Sequence, residues 1–301
     1  MPLSFPWKKF PLKKFITSDD ATLYYYHQYP KKKNLGQILI MCGWSQTPDG
    51  FSPMLTTNKF IRDHYEVYIL VMRGWNLEYI SYGNAINRYA MDVKEFIKCK
   101  IQKKVITCTH SMGCAIVWRM IELFGEDMFL GYFIIDQGPV LTKNPLITDD
   151  NIYKEQGSIL TSQQIYETCA GLNGPDGDVV RASFVLTMFT DNFKLQYPDI
   201  VEKVIKGGNN YNLHVASNVF FEHCANNNID QILCKKIKKP TFLIGGKVSI
   251  VPYQSMEYQQ RYYKCADVFI FSQEQGGSHF MFIENYTLIN EKLNNFLKKI
   301  C

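Results

Sequence analysis

The residues best suited to chemistry lie between Val105 and Met120, VITCTHSMGCAIVWRM. A strand-type apolar run, Val105 to His110, leads through Thr109-His110-Ser111-Met112-Gly113 into a helical pattern that starts near Cys114. A sharp strand-to-helix turn of this kind presents a serine hydroxyl at the top of a sheet. It needs small residues two before and two after the serine, because neighbouring backbone passes close by, and the residue after the serine offers an N–H to a developing oxyanion. Thr109 stands where such turns commonly carry glycine. A serine that merely capped the following helix would explain the helix start and nothing else. As a nucleophile, Ser111 requires a histidine to take its proton and a group to orient that histidine.

His279 is the candidate base. It follows the last strand-like run and two glycines in GGSHFMFIEN, just before the C-terminal amphipathic segment, so its loop can fold back over the sheet edge toward Ser111. The other five histidines compete poorly: His110 is packed beside the serine by the turn itself, His214 and His223 lie in a helical insertion, and His27 and His64 precede or flank strands.

These residues need a scaffold, and the chain provides its pattern. Short, continuously apolar runs recur at Gln37 to Cys42, Glu66 to Val71, Val105 to His110, Phe129 to Ile135, Thr241 to Gly245 and Asp267 to Phe271. Such runs suit strands buried on both faces of a parallel sheet. Helical patterns lie between them: Ile86, Tyr89, Ala90, Val93, Phe96 and Ile97 trace one face, and Ile289, Leu293, Phe296, Leu297 and Ile300 another. Alternation of this kind predicts an α/β, doubly wound architecture. It pauses between about 140 and 235, where Leu160 to Ala170, Asp178 to Thr190 and Pro198 to Lys206 read as helices separated by turn-rich GLNGPDGD and GGNN, a helical insertion. The Lys235 to Lys239 cluster reads as a solvated connector into the next strand.

Composition narrows the function classes. The chain has 301 residues, 46% hydrophobic and 20% charged, which suits a well-packed globular protein. Its net charge of +5 comes without a dense basic stripe, so a nucleic-acid partner is not expected. Nine cysteines form no CxxC pair, an odd scattered set that reads as reduced thiols in a cytoplasmic compartment rather than as a disulfide framework or zinc site. The N-terminal MPLSFPWKKFPLKKF lacks the unbroken apolar core of a signal peptide. It reads as a first edge strand with solvated lysines, weak membrane-surface contact being the alternative. No stretch has the length and apolarity of a membrane span.

Taken together, the motifs resemble those of the α/β-hydrolase superfamily, in its haloperoxidase-like and esterase-like branch with a helical cap, over nearly the whole chain. ATLYYYHQYP from Ala21 resembles the opening hairpin, ILIMCGWSQTPDGF from Ile38 the strand and oxyanion loop, VMRGWN at Val71 the turn that usually reads Asp-x-Arg-Gly-x-Gly, and GGSHFMFIEN the histidine loop. The resemblance implies an eight-stranded, mostly parallel sheet, with a core of residues 1–139 and 236–301 and a helical cap of 140–235. It also implies oxyanion donors at the backbone N–H groups of Trp44 and Met112; Cys42, in place of the usual histidine, reads as buried and inert. The family commonly carries its acid in Gly-x-x-Asp-x-x-x-Pro, but here that segment is Gly245-Gly246-Lys247-Val248-Ser249-Ile250-Val251-Pro252, with valine at the acid position. Some members place the acid at the end of the strand after the nucleophile helix, where this chain has Asp136, which also keeps the chain order Ser, Asp, His. The competing role for Asp136 is a cap of the turn before Gly138-Pro139.

The implied activity is hydrolysis of a small or medium apolar carboxylic ester through an acyl-enzyme on Ser111, without a metal or organic cofactor. A cofactor-free dioxygenase using His279 and Asp136, a small-molecule receptor with slow turnover, and an acyl transferase are the alternatives.

Overall fold

A computed structural model describes residues 5–75, 82–208, 211–226, 228–229 and 236–300. Asn76 of VMRGWN, Asn209 and Asn210 of GGNN, Cys234, Lys235 and Cys301 lie outside the described residues.

Eight strands form one sheet: β1 (Lys13–Ile16), β2 (Thr22–Gln28), β3 (Gly36–Met41), β4 (Tyr65–Val71), β5 (Val105–His110), β6 (Phe129–Ile135), β7 (Thr241–Gly246) and β8 (Ala266–Phe271). Their order is β1-β2-β4-β3-β5-β6-β7-β8. The β1–β2 and β2–β4 pairs are antiparallel and every other pair is parallel. The central strands are almost wholly buried because helices cover both faces, which is why they read as unbroken apolar runs. At the outer edge, β1 buries Phe15 and exposes Lys13 and Lys14, charges that discourage another chain from adding to the sheet.

Beneath and above the sheet run α1 (Ser52–Thr57), α2 (Lys59–His64), α3 (Ile86–Phe96) and α4 (Met112–Phe124). Between β6 and β7 the described residues form α5 (Asp150–Gln156), α6 (Ser162–Asn173), α7 (Gly177–Leu186), α8 (Asp191–Gln196), α9 (Pro198–Gly208) and α10 (Leu213–Ala225). The remaining helices are α11 (Gln254–Tyr262), α12 (Met281–Glu284) and α13 (Tyr286–Ile300). The helix expected over Asp178 to Thr190 is shorter: α7 stops at Leu186, and Thr190 instead caps the next helix, α8, by accepting from the Phe193 N–H. A capping side chain competes with helix continuation, and here it wins over the apolar periodicity. Helix α10 leaves little signature in the sequence, because its segment carries apolar residues nearly all round and so shows little amphipathic contrast.

Sheet order determines where chemistry can sit. From β3 the chain passes to β4 on one side, then returns to β5 on the other, and in such sheets the crevice at the carboxyl ends of the strands flanking the reversal is the natural ligand site. Register brings the loops together there. Met41 of β3 stands opposite Thr109 of β5, so Gly43-Trp44 meets Ser111; His110 stands opposite Ile135 of β6, so Asp136 comes next to the same corner.

Candidate active site

Ser111 adopts φ 52° and ψ −126°, a strained backbone for a residue with a side chain, between the end of β5 and the start of α4. Its hydroxyl makes no capping hydrogen bond to α4, so its side chain is not spent on the helix end. The turn is held from behind: Ser111 N–H donates to Ile135 O at 3.0 Å, and Cys114 N–H to Ser111 O at 2.8 Å. Thr109, in the usual glycine position, fits because its hydroxyl donates to Cys114 Sγ at 3.2 Å in the buried interior. Gly113 has no such latitude. A Cβ there would stand 2.5 Å from the Met41 carbonyl oxygen, which is backbone and cannot swing aside. Gly113→Ala is therefore expected to destabilise the fold by about 2–3 kcal/mol, as overpacking does, read as a lowered urea midpoint; an unchanged midpoint would refute this close approach.

His279 Nδ1 lies 2.6 Å from Asp136 Oδ2, across 143 residues of chain. Both side chains are almost completely buried. Asp136 itself has φ 55°, and its N–H donates to Ile244 O at 2.7 Å, which fixes its carboxylate between β6 and β7. Burial pushes the Asp136 carboxyl upward, while the hydrogen bond and charge of His279 and the hydroxyl of Ser249 oppose that shift. The Ser249 hydroxyl donates to Asp136 Oδ2, and Ser249 Oγ accepts from Val251 N–H at 3.1 Å. Val248, at the position the superfamily commonly gives its acid, is 41% exposed. The segment after β7 thus contributes a hydroxyl that supports the carboxylate instead of a carboxylate of its own.

The loop after β3 completes the corner. A Cβ on Gly43 would lie 2.9 Å from Ser111 Cβ, so this loop passes directly over the serine. Among the described residues no hydrogen bond leaves the N–H of Trp44 or of Met112, and both follow the loop ends that flank Ser111. Cys42 below them is buried, and burial drives its thiol far above the ordinary range, which keeps it protonated.

Two hydrogen-bond chains, neither evident from sequence, brace these loops. His110 Nε2 lies 2.8 Å from the His279 carbonyl, so it carries the proton, leaving Nδ1 as acceptor for Gln46 Nε2 at 2.7 Å; Gln46 Oε1 in turn accepts from Gly43 N–H at 2.9 Å. On the other side Glu284 accepts from Ser278 Oγ at 2.7 Å and from Thr190 N–H at 2.8 Å, linking the histidine loop to the start of α8. The only sequence signal for either brace is position next to Gly43 or His279.

No family model matches this chain, and no curated protein sequence does. Solved structures do. A bromoperoxidase from Bacillus anthracis superposes with TM-score 0.81 at 17% identity, covering 96% of this chain and 100% of its own. An esterase from Exiguobacterium antarcticum gives 0.79 at 15%, covering 95% and 99%. An enol-lactonase from Burkholderia xenovorans LB400 gives 0.77 at 15%, covering 95% and 100%. The chain has the α/β-hydrolase fold.

Within that fold, Ser111 and His279 line one cavity of about 30 Å³, together with Trp44 from the β3 loop and Leu160, Phe184, Met188, Phe220 and His223 from the segment between β6 and β7. His223 is a departure from expectation: it belongs to α10, yet it faces the same cavity as the serine. A larger open cleft of about 760 Å³ lies between α8 and the Gln273–Gly276 loop and includes neither Ser111 nor His279. Of the three remaining histidines, His27 lies inside β2 with Nε2 2.9 Å from Glu66, His64 ends α2 with Nδ1 3.2 Å from the Lys33 carbonyl, and His214 is exposed on α10. The cysteines among the described residues are free thiols. Among those residues no group of three or more His, Cys, Asp or Glu side chains is placed to hold a metal ion, and no helix is long and apolar enough to cross a membrane.

Two buried histidines of this α/β-hydrolase fold should make it acid-sensitive. Burial lowers His223 to about 3, with the charge of His279 acting in the same direction, and burial lowers His110 as well. Below pH 6.5 the unfolded chain takes up protons that the folded chain refuses, so stability is full above 6.5 and declines toward pH 3. His223 should remove about 1.4 kcal/mol per pH unit in that window, and His110, also held neutral by burial, should add to the loss. Urea midpoints from pH 7 to 4.5 should fall accordingly, and a flat profile would contradict the buried neutral state.

Proposed function

We propose that this protein is a serine hydrolase that cleaves a small or medium apolar carboxylic ester through an acyl-enzyme on Ser111, in a core of residues 1–139 and 236–301 whose pocket is roofed by a helical lid of 140–235. The reading is carried by one arrangement: His279 is bonded to the Asp136 carboxylate through Nδ1 while its ring lines the cavity into which Ser111 opens. Because Nδ1 donates to Asp136, the neutral ring keeps Nε2 bare and able to accept a proton. In the first half-reaction Ser111 Oγ attacks the ester carbonyl carbon as its proton passes to His279 Nε2. The N–H groups of Trp44 and Met112 hold the resulting oxyanion, each worth about 3 kcal/mol of transition-state stabilisation. Collapse expels the alcohol, which takes the proton from His279, and leaves the acyl group on Ser111. A water molecule then attacks with His279 as base, releasing the acid and regenerating the serine.

The esterase and the enol-lactonase among the similar structures accord with this reading. The present cavity, about 30 Å³, has room for water but not for an ester, since ligand pockets usually span hundreds of Å³. On this reading, side chains that line the cavity shift to admit substrate. The decisive experiment is labelling with a fluorophosphonate probe followed by a panel of nitrophenyl esters of increasing acyl length. Labelling and multiple turnover are expected. Absence of labelling would overturn the proposal, a stoichiometric burst without turnover would favour a slow receptor, and oxygen uptake that survives Ser111→Ala on a heteroaromatic substrate would favour a dioxygenase.

A further inference from the structure

We infer that His223 is a specificity-determining residue, and that the ester taken by this site carries a hydroxyl group on the part buried against α10. The inference rests on the hydrolase reading above and narrows its substrate class. Three observations carry it. His223 is only 4% exposed and lines the cavity shared by Ser111 and His279. Its Nδ1 is buried without a hydrogen-bond partner. The surroundings from its own side of the cavity are apolar, with Leu160, Phe184, Met188 and Phe220 among them.

A buried ring nitrogen with no partner is unfavourable, and an apolar residue of similar shape would remove that penalty. The site's other buried histidines do not share this condition: His110 is bonded at both nitrogens and His279 at Nδ1. The histidine at 223 thus weakens the free protein at the position where a substrate would lie, which is the pattern of a group retained for binding. The chemistry of the partner follows from the ring. Burial keeps His223 neutral, and the cavity lining contains no Lys, Arg, Asp or Glu, so a charged substituent would be left without a counter-ion. A neutral imidazole has one N–H and one bare nitrogen, and which of them is Nδ1 depends on tautomer. A hydroxyl both donates and accepts, so it matches either tautomer, whereas a keto oxygen or a bare N–H matches only one.

The test compares nitrophenyl 2-hydroxybutanoate, 3-hydroxybutanoate and 6-hydroxyhexanoate with their unsubstituted parents in wild type, His223→Phe and His223→Gln. Wild type is expected to favour at least one hydroxy ester by 10-fold or more in kcat/KM. His223→Phe should erase that ratio, and His223→Gln, which can still hydrogen-bond, should retain part of it. His223→Phe should also melt above wild type, because it removes the unpaired nitrogen. A wild type indifferent to the hydroxyl across the panel, or a ratio that survives in His223→Phe, overturns the inference, and a lower melting temperature for His223→Phe overturns it by assigning the ring a structural role. Calorimetric binding of the same esters to Ser111→Ala separates this from failure of the hydrolase reading. A hydroxyl preference there that disappears on adding His223→Phe supports the inference even if wild type turns over no ester, and equal binding of hydroxy and parent esters refutes it even if turnover is rapid.

Discussion

Ser111→Ala is expected to lower ester turnover by about 10⁶-fold and to abolish fluorophosphonate labelling. The size of the effect follows from what the serine does and what it does not do. Its side chain makes no capping bond to α4, so the substitution removes no structural interaction of the hydroxyl. The strained backbone at φ 52° is set by the strand pairing and by the bonds from Ser111 N–H to Ile135 and from Cys114 N–H to Ser111 O, none of which involves the side chain. The variant should therefore fold with a melting temperature close to that of wild type while losing its nucleophile. The proposed oxyanion donors at Trp44 and Met112 remain, so a residual rate of about 10³-fold over water should persist. Loss of turnover accompanied by loss of fold would instead assign Ser111 to the scaffold, and retained labelling would place the nucleophile elsewhere.

The second large effect is expected from Asp136→Asn, about 10⁴-fold in kcat with little change in KM. A carboxylate at this position can only accept, which obliges His279 to carry its proton on Nδ1 and leaves Nε2 bare. An asparagine can turn its NH₂ toward Nδ1 and hold the opposite tautomer, in which Nε2 already bears a proton and cannot take another from Ser111. Nitrogen NMR of labelled histidine would read the switch directly. Restoring an acid at the more usual place should not help: Val248 is exposed, whereas its neighbour Ser249 is the residue turned inward to Asp136. The double variant Asp136→Asn with Val248→Asp should stay as slow as the single one, and recovery of activity would show that the segment after β7 can still present an acid to His279.

The apolar strands, the parallel centre of the sheet and the strand-serine-helix turn are legible in the sequence because each is a local pattern. Gln37 to Cys42 and Val105 to His110 read as doubly buried strands without reference to any partner, and Thr109 to Gly113 read as a tight turn because they join such a strand directly to a helical pattern. The position of His279 is legible for the same reason, since two glycines and an amphipathic helix bracket it. Tertiary structure decided the matters that depend on side chains meeting across the chain. Sequence leaves Asp136 open between an acid and a turn cap, and only the meeting of β6, β7 and the histidine loop puts its carboxylate 2.6 Å from His279 Nδ1. The support from Ser249, the Gly43-Gln46-His110 chain to the His279 carbonyl and the arrival of His223 on the serine's cavity are of the same kind. Each joins residues far apart in sequence, and hydrogen bonding carries no periodic signature. The sequence alone determines which strands exist and which edge of the sheet holds the serine; folding alone determines which carboxylate and which second histidine share that edge, because those contacts arise from register and packing between elements rather than from any one of them.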